Sequence, residues 1–177
     1  SQWFKDDQKG NFSNDKQDTF DPKKRYVGIR LQQGVPLLDR DWNELEDIRR
    51  YEEQMLRKWY IGDGTPNDGF KIMPLDEPGN DFKISAGRYL VDGFEVVNDL
   101  EAGLFLYSTQ KDGDADSENI SDLTNFKAYL DIWIEEVNKD GDSDLANEDD
   151  VNMETCIRHK LKWRVRVRSG DLAFEDY

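Results

Sequence analysis

Between Trp42 and Trp59 the bulky apolar residues fall at Trp42, Leu45, Ile48, Tyr51, Met55, Leu56 and Trp59. Steps of three and four residues draw one apolar stripe along a helix, because 3.6 residues complete a turn. The ends of the stretch agree. Asp39 or Asp41 is placed to cap the start by accepting a bond from a free backbone N–H of the first turn. Asp41, Glu44, Glu46 and Asp47 crowd the first turns, while Arg57 and Lys58 lie in the last, the order that suits the helix macrodipole. Gly62 supplies the residue without a Cβ that a helix end commonly needs. Pro36 lies ahead of the helix, so with Gly34 it bends the lead-in and leaves the helix unbroken.

Short strands are expected after the helix. GDGTPNDG reads as a loop on turn chemistry; it lacks the Lys-Ser/Thr ending of a phosphate-binding loop. FKIM, DFKIS, RYLV, FEVV and LFLYS follow as strands. Asp92 and Gly93 stand between RYLV and FEVV, a two-residue hairpin signal because both positions tolerate positive φ. The longest strand is FKAYLDIWIEEV. Ala128, Leu130, Ile132 and Ile134 share one of its faces, and Tyr129, Asp131, Trp133 and Glu135 the other. In the last strand, RHKLKWRVRVRS, Leu161, Trp163, Val165 and Val167 alternate with Lys160, Lys162, Arg164, Arg166 and Arg168. Opposite charge on the polar faces predicts that these two strands are antiparallel neighbours or near neighbours in one sheet.

Several of these stretches together resemble a family of phage-baseplate-like and contractile-injection-system structural proteins. FDPKKRYVGIRLQQGVPLLDRDWNEL is similar to its opening, an FDP-K-x-Y segment, a QQG-type turn and a D-x-D-W-N-E helix. ISAGRYLVDGFEV resembles its AGRYYVDG hairpin, and YLDIWIEEV its YLDVWER-V strand. The matches keep their order from about Asn11 to Ser169. The resemblance implies a structural part of a tail-like particle and transfers no catalytic residue.

A chain of 177 residues is long enough for one ordinary domain with its own core. Apolar and charged residues each make up 36%, so that core is lean or is completed by a partner. Net charge is −15, with Asp outnumbering Glu roughly two to one. Such a surface repels phosphate backbones, which argues against nucleic acid as a partner. No apolar run is long enough to span a bilayer and no signal-peptide pattern is present. The single cysteine, Cys156, forms no internal disulfide and suits a reducing cytosol. Because the chain opens at Ser1 and stops soon after a strand-like run, a processed or longer natural protein is expected.

Residues 1–19 are polar and without period, and left alone would stay disordered. Trp3, Phe4, Phe12 and Phe20 are spaced along and just beyond them like anchors. The expectation is an extended arm, ordered only against a neighbouring subunit, with these rings and Trp42 as docking residues. Two acidic loops invite a calcium reading: Asp112, Asp114 and Asp116 in one, Asp140, Asp142 and Asp144 in the other. A helix–loop–helix calcium site needs Gly at its sixth position and Glu at its twelfth. Counting from Asp112 gives Ser117 and Leu123, and from Asn138 gives Ser143 and Asp149, so both loops fail and the default is solvated loops. His159, the one histidine, stands among Arg158, Lys160 and Lys162; it makes neither a metal cluster nor half of a catalytic pair.

The expected fold is therefore α+β: an extended arm over 1–19, a lead-in and long helix over 20–62, and a mostly antiparallel, sandwich-like β domain over 63–177. The expected function is that of a structural or adaptor subunit, at the baseplate or another peripheral position of a contractile tail-like particle. It would occur in several copies against baseplate, tube or sheath proteins, assembled in the cytoplasm, without cofactor or enzymatic activity. Two rivals stand beside it. A carbohydrate- or receptor-binding module of tail-fibre type needs exposed aromatics such as Trp133 or Tyr107. A glycan-cleaving enzyme needs two carboxylates across a cleft.

Overall fold

The computed structural model describes residues 8–13, 19–66, 69–76, 81–99, 104–110, 125–147 and 153–169. It is an α+β protein with one long helix, α1 (Asp39–Tyr60). The strands are β1 (Ile72–Met73), β2 (Lys83–Ser85), β3 (Gly87–Val91), β4 (Phe94–Asn98), β5 (Leu104–Leu106), β6 (Phe126–Val137), β7 (Ala146–Asn147), β8 (Met153–Glu154) and β9 (Arg158–Ser169). Among the described residues they form small sheets, β1–β2–β5, β3–β4, β6–β9 and β7–β8. The pairings themselves define no two-sheet sandwich. The chain divides into two compact units. One comprises Ser1–Gly62, Asp92–Phe94 and Trp133–Lys162, and the other Asp63–Val91, Glu95–Ile132 and Trp163–Tyr177.

In the first unit α1 starts one residue earlier than a cap at Asp39 would allow. Leu38 occupies the cap position and makes no side-chain cap bond. Asp39 and Asp41 lie inside the first turn, so they act on the helix through charge and not as caps. At the other end Gly62 adopts φ +82°, and its amide reaches back to the Arg57 carbonyl at 3.0 Å. The core of this unit holds Ile48 of α1 with Trp133 and Ile134 of β6. Leu45, on the same apolar stripe as Ile48, is only half-buried.

The tip of the β3–β4 hairpin belongs to this unit. Asp92 (φ 48°) and Gly93 (φ 79°) form the expected turn. The Gln54 amide, buried on α1, donates to the Asp92 carbonyl at 2.9 Å, and Lys58 pairs with the Asp92 carboxylate. A Cβ on Gly93 would lie 2.3 Å from the Gln54 carbonyl oxygen, so glycine is required both by conformation and by space.

The second unit is held by aromatic packing and by side chains that stand in for strands. Phe82 stacks between Tyr107 (4.9 Å between centroids) and Phe126 (5.8 Å), and Phe70 meets Trp163 edge-on at 5.0 Å. Ile84, Val96, Val165 and Val167 complete the apolar core. Gln110 both accepts from the Val165 amide (2.8 Å) and donates to its carbonyl (2.9 Å), as a neighbouring strand would. Asn98, buried, donates to the Ser85 carbonyl at 2.9 Å.

β6 and β9 are hydrogen-bonded neighbours, as the charge pattern predicts. Arg166 Nε lies 2.6 Å from Asp131 Oδ2, and Lys162 Nζ lies 4.0 Å from Glu135 Oε2. One strand counts up while the other counts down between these pairs, which is the antiparallel relation. Alternation departs from expectation at Arg164: it is buried, although it sits among the cations assigned to the polar face.

Candidate functional site

The segment from Pro22 to Leu38 is shaped by local chemistry. Asp21 accepts from the Lys23 amide at 2.9 Å and so caps a short 3-10 turn, Pro22–Lys24. Arg25 then takes positive φ, and Gly34 (φ +76°) makes the second turn before Pro36. Between these turns the chain belongs to no helix and no sheet. Nearly all of it is exposed, including Tyr26, Leu31, Val35 and Leu37, with Val27 at 80%. A chain normally keeps such residues covered, and a contiguous apolar exposure is the mark of a surface that meets something.

The helix α1 also exposes apolar side chains. Its apolar stripe is split: Ile48 is buried at 2%, whereas Trp42 (55%), Leu56 and Trp59 (73%) face solvent. The buried side instead takes in the polar Gln54, because the hairpin tip offers it a hydrogen-bond partner. Charged side chains flank the exposed apolar ones, among them Glu46, Glu52 and Glu53.

The same unit contains a network that ties chain segments together. Glu136 is 5% exposed, and its Oε2 accepts from the amides of Lys9 (2.6 Å) and Gly10 (3.0 Å). Its Oε1 is buried without a hydrogen-bond partner. Arg50 spans Asp47 (2.6 Å) and His159 Nδ1 (3.0 Å), so that ring nitrogen is the acceptor. His159 is exposed by area, yet atoms packed around the ring desolvate it, and this with the Arg50 cation holds its pKa below the ordinary 6.5. Glu136 opposes that shift. Cys156 is exposed, and hydrogen bonds from Thr155 (3.5 Å) and Arg158 (2.6 Å) hold its thiol below the usual range. The groups bonded to the thiol are a hydroxyl and a guanidinium, neither of which is an imidazole base.

The expected docking residues separate. Trp3 and Phe4 lie outside the described residues. Phe12 is half-buried and folds back toward Gly10, whose Cβ, if present, would meet the Phe12 ring and Ile157 of the same unit. Phe20 packs on Tyr51 of α1 with ring centroids 5.8 Å apart. Residues 8–13 meet their own chain through Glu136, while the rest of the expected arm, 1–7 and 14–18, lies outside the described residues. Of the five rings, Trp42 is the one described as largely exposed. Trp133 (8%) and Tyr107 (6%) are buried and present no aromatic platform.

Asp112, Asp114 and Asp116 also fall outside the described residues. Asp140, Asp142 and Asp144 are exposed; Asp142 accepts from the Asp144 amide at 3.2 Å as the cap of a short turn, and Asp140 accepts from Asn138 at 3.2 Å. Among the described residues no group of three or more His, Cys, Asp or Glu is placed to hold a metal ion. No helix there is long and apolar enough to cross a membrane.

Residues 8–174 match the model of a family described as a family of unknown function, DUF6519. The chain belongs to that family. No curated protein and no solved structure matches it. The match takes in the lead-in, α1, the hairpin and both long strands, so the exposed surface lies within the part of the chain that defines the family.

The sequence presents the lead-in as a bent connection and as one of the stretches that carry the resemblance, without marking it as an exposed surface. The available signal was the run from Pro22 to Leu38, with apolar residues, four cations and no carboxylate in a chain of net charge −15.

Proposed function

We propose that this chain is a structural or adaptor subunit of a contractile, phage-tail-like injection particle, at the baseplate or another peripheral position. The observation that carries a docking role is the exposure of large apolar residues along the lead-in and on the outer side of α1. A surface of that kind does its work by burial against a neighbour, since each square ångström of apolar area removed from water is worth about 25 cal/mol. The particle itself comes from the resemblance of the FDP, D-x-D-W-N-E, AGRY and YLDIW stretches. On this reading the chain is assembled in the cytoplasm, becomes part of the particle in several copies, and works through geometry without turnover.

The test is affinity purification of the tagged chain from cells that make the particle. Sheath, tube or baseplate proteins are expected with it, and their recovery is expected to fall when Trp42 and Trp59 are both changed to Ala. A pure chain that hydrolyses a polysaccharide, with the activity lost on changing one carboxylate, would overturn the proposal in favour of a glycan-cleaving enzyme.

A further inference from the structure

We infer that these exposed residues form an interface between copies of this chain, in which the basic lead-in of one copy lies across the outer side of α1 in the next. The inference rests on the docking reading above and adds the identity of the occupant.

Charge selects the partner. Lys23, Lys24, Arg25 and Arg30 stand in a segment with no acidic residue, while the whole chain carries −15. The exposed residues of α1 include Asp39, Glu46, Glu52 and Glu53 against Arg40 and Arg49. Glu46 and Glu53 have helical arginine neighbours at 3.4 and 3.5 Å, but pairs this exposed bind weakly and leave carboxylate oxygens open. Apolar character also matches: Val27, Leu31 and Val35 on one side, Trp42, Leu56 and Trp59 on the other, all exposed in a single copy.

Length fits as well. From Tyr26 to Gln32, ahead of the Gly34 turn, the chain reaches at most roughly 23 Å at about 3.3 Å per residue. The helix is about 33 Å long at 1.5 Å per residue. The part of the lead-in ahead of its turn therefore reaches along about two-thirds of one helix. Because each copy offers both halves of the contact, the pairing closes as a reciprocal two-fold dimer or runs head-to-tail into a ring or a row.

Two charge-reversed variants test the pairing by analytical ultracentrifugation across a concentration series. One carries Lys23→Glu, Lys24→Glu, Arg25→Glu and Arg30→Glu, the other Glu46→Lys, Glu52→Lys and Glu53→Lys, with circular dichroism checking that each folds. The wild-type chain is expected to self-associate, and each variant alone to associate at least about tenfold more weakly. An equimolar mixture is expected to regain association, because both lead-in-to-helix contacts are then complementary again. If a variant does not fold, wild-type association at about 0.1 M and about 1 M salt decides, since screening shortens from about 10 Å to about 3 Å. A wild-type chain that stays monomeric, an association indifferent to salt, or a mixture that fails to recover overturns the inference. Monomeric chain that still co-purifies with particle proteins overturns this homotypic pairing alone, whereas self-association without any particle partner overturns the proposed function alone.

Discussion

The amide of Gly10 donates to the buried carboxylate of Glu136 at 3.0 Å, joining residues 126 positions apart in the sequence. Lys9 donates to the same oxygen at 2.6 Å, so one side chain fixes the described part of the N-terminal segment. Replacing Glu136 with Ala leaves two donors without their acceptor. The expected cost is about 1–3 kcal/mol in chemical denaturation. Deleting residues 1–19 is expected to destabilise the isolated chain by a similar amount, and in that background Glu136→Ala is expected to cost clearly less, since the two changes remove one interaction. Equal costs in both backgrounds would show that the segment and Glu136 act independently.

Two substitutions on α1 separate its faces. Ile48→Ala empties a fully buried site and is expected to cost about 2–5 kcal/mol. Trp42→Ala removes a larger side chain, yet in the isolated chain it is expected to change stability by no more than about 0.5 kcal/mol, because that ring is 55% exposed. Urea midpoints of the two variants decide the matter. A larger loss at Trp42 than at Ile48 would mean that the apolar stripe is buried on the opposite side.

Gly93→Ala combines two penalties, a positive φ and a Cβ placed 2.3 Å from the Gln54 carbonyl oxygen. The expected destabilisation is at least about 1 kcal/mol, measured by thermal unfolding. Gln54→Ala removes the matching hydrogen bond to Asp92 and is expected to cost about 1–3 kcal/mol. A harmless Gly93→Ala would place the hairpin tip away from the helix backbone.

His159 gives the fold a pH dependence of defined sign. Its folded-state pKa lies below the ordinary 6.5, from desolvation first and the Arg50 cation second. Between the folded value and 6.5 the unfolded chain binds more protons, so stability is undiminished above about pH 6.5 and declines as the pH falls below it. His159→Gln is expected to flatten that decline. Arg50→Gln is expected to raise the histidine pKa, read by NMR titration of the single imidazole. A histidine that titrates at or above 6.5 in the folded chain would refute the packing around its ring.

Short-range chemistry was legible in the sequence by itself. Three- and four-residue spacing, charge order and Gly62 gave α1, and Asp92–Gly93 gave the hairpin, because each depends on residues within a turn or two of one another. Complementary charge on two alternating strands even identified β6 and β9 as neighbours, confirmed by the Asp131–Arg166 pair. What the tertiary structure decided is which faces are covered. Periodicity defines a stripe but no partner for it, so burial of Ile48 and Gln54 with exposure of Trp42, Leu56 and Trp59 depended on where the hairpin tip and β6 came to lie. In the same way alternation assigned Trp133 a face without saying that this face is closed, and nothing near Gly10 in sequence announces Glu136. Local propensity is set by neighbours along the chain, whereas burial is set by segments that meet only when the whole chain has folded.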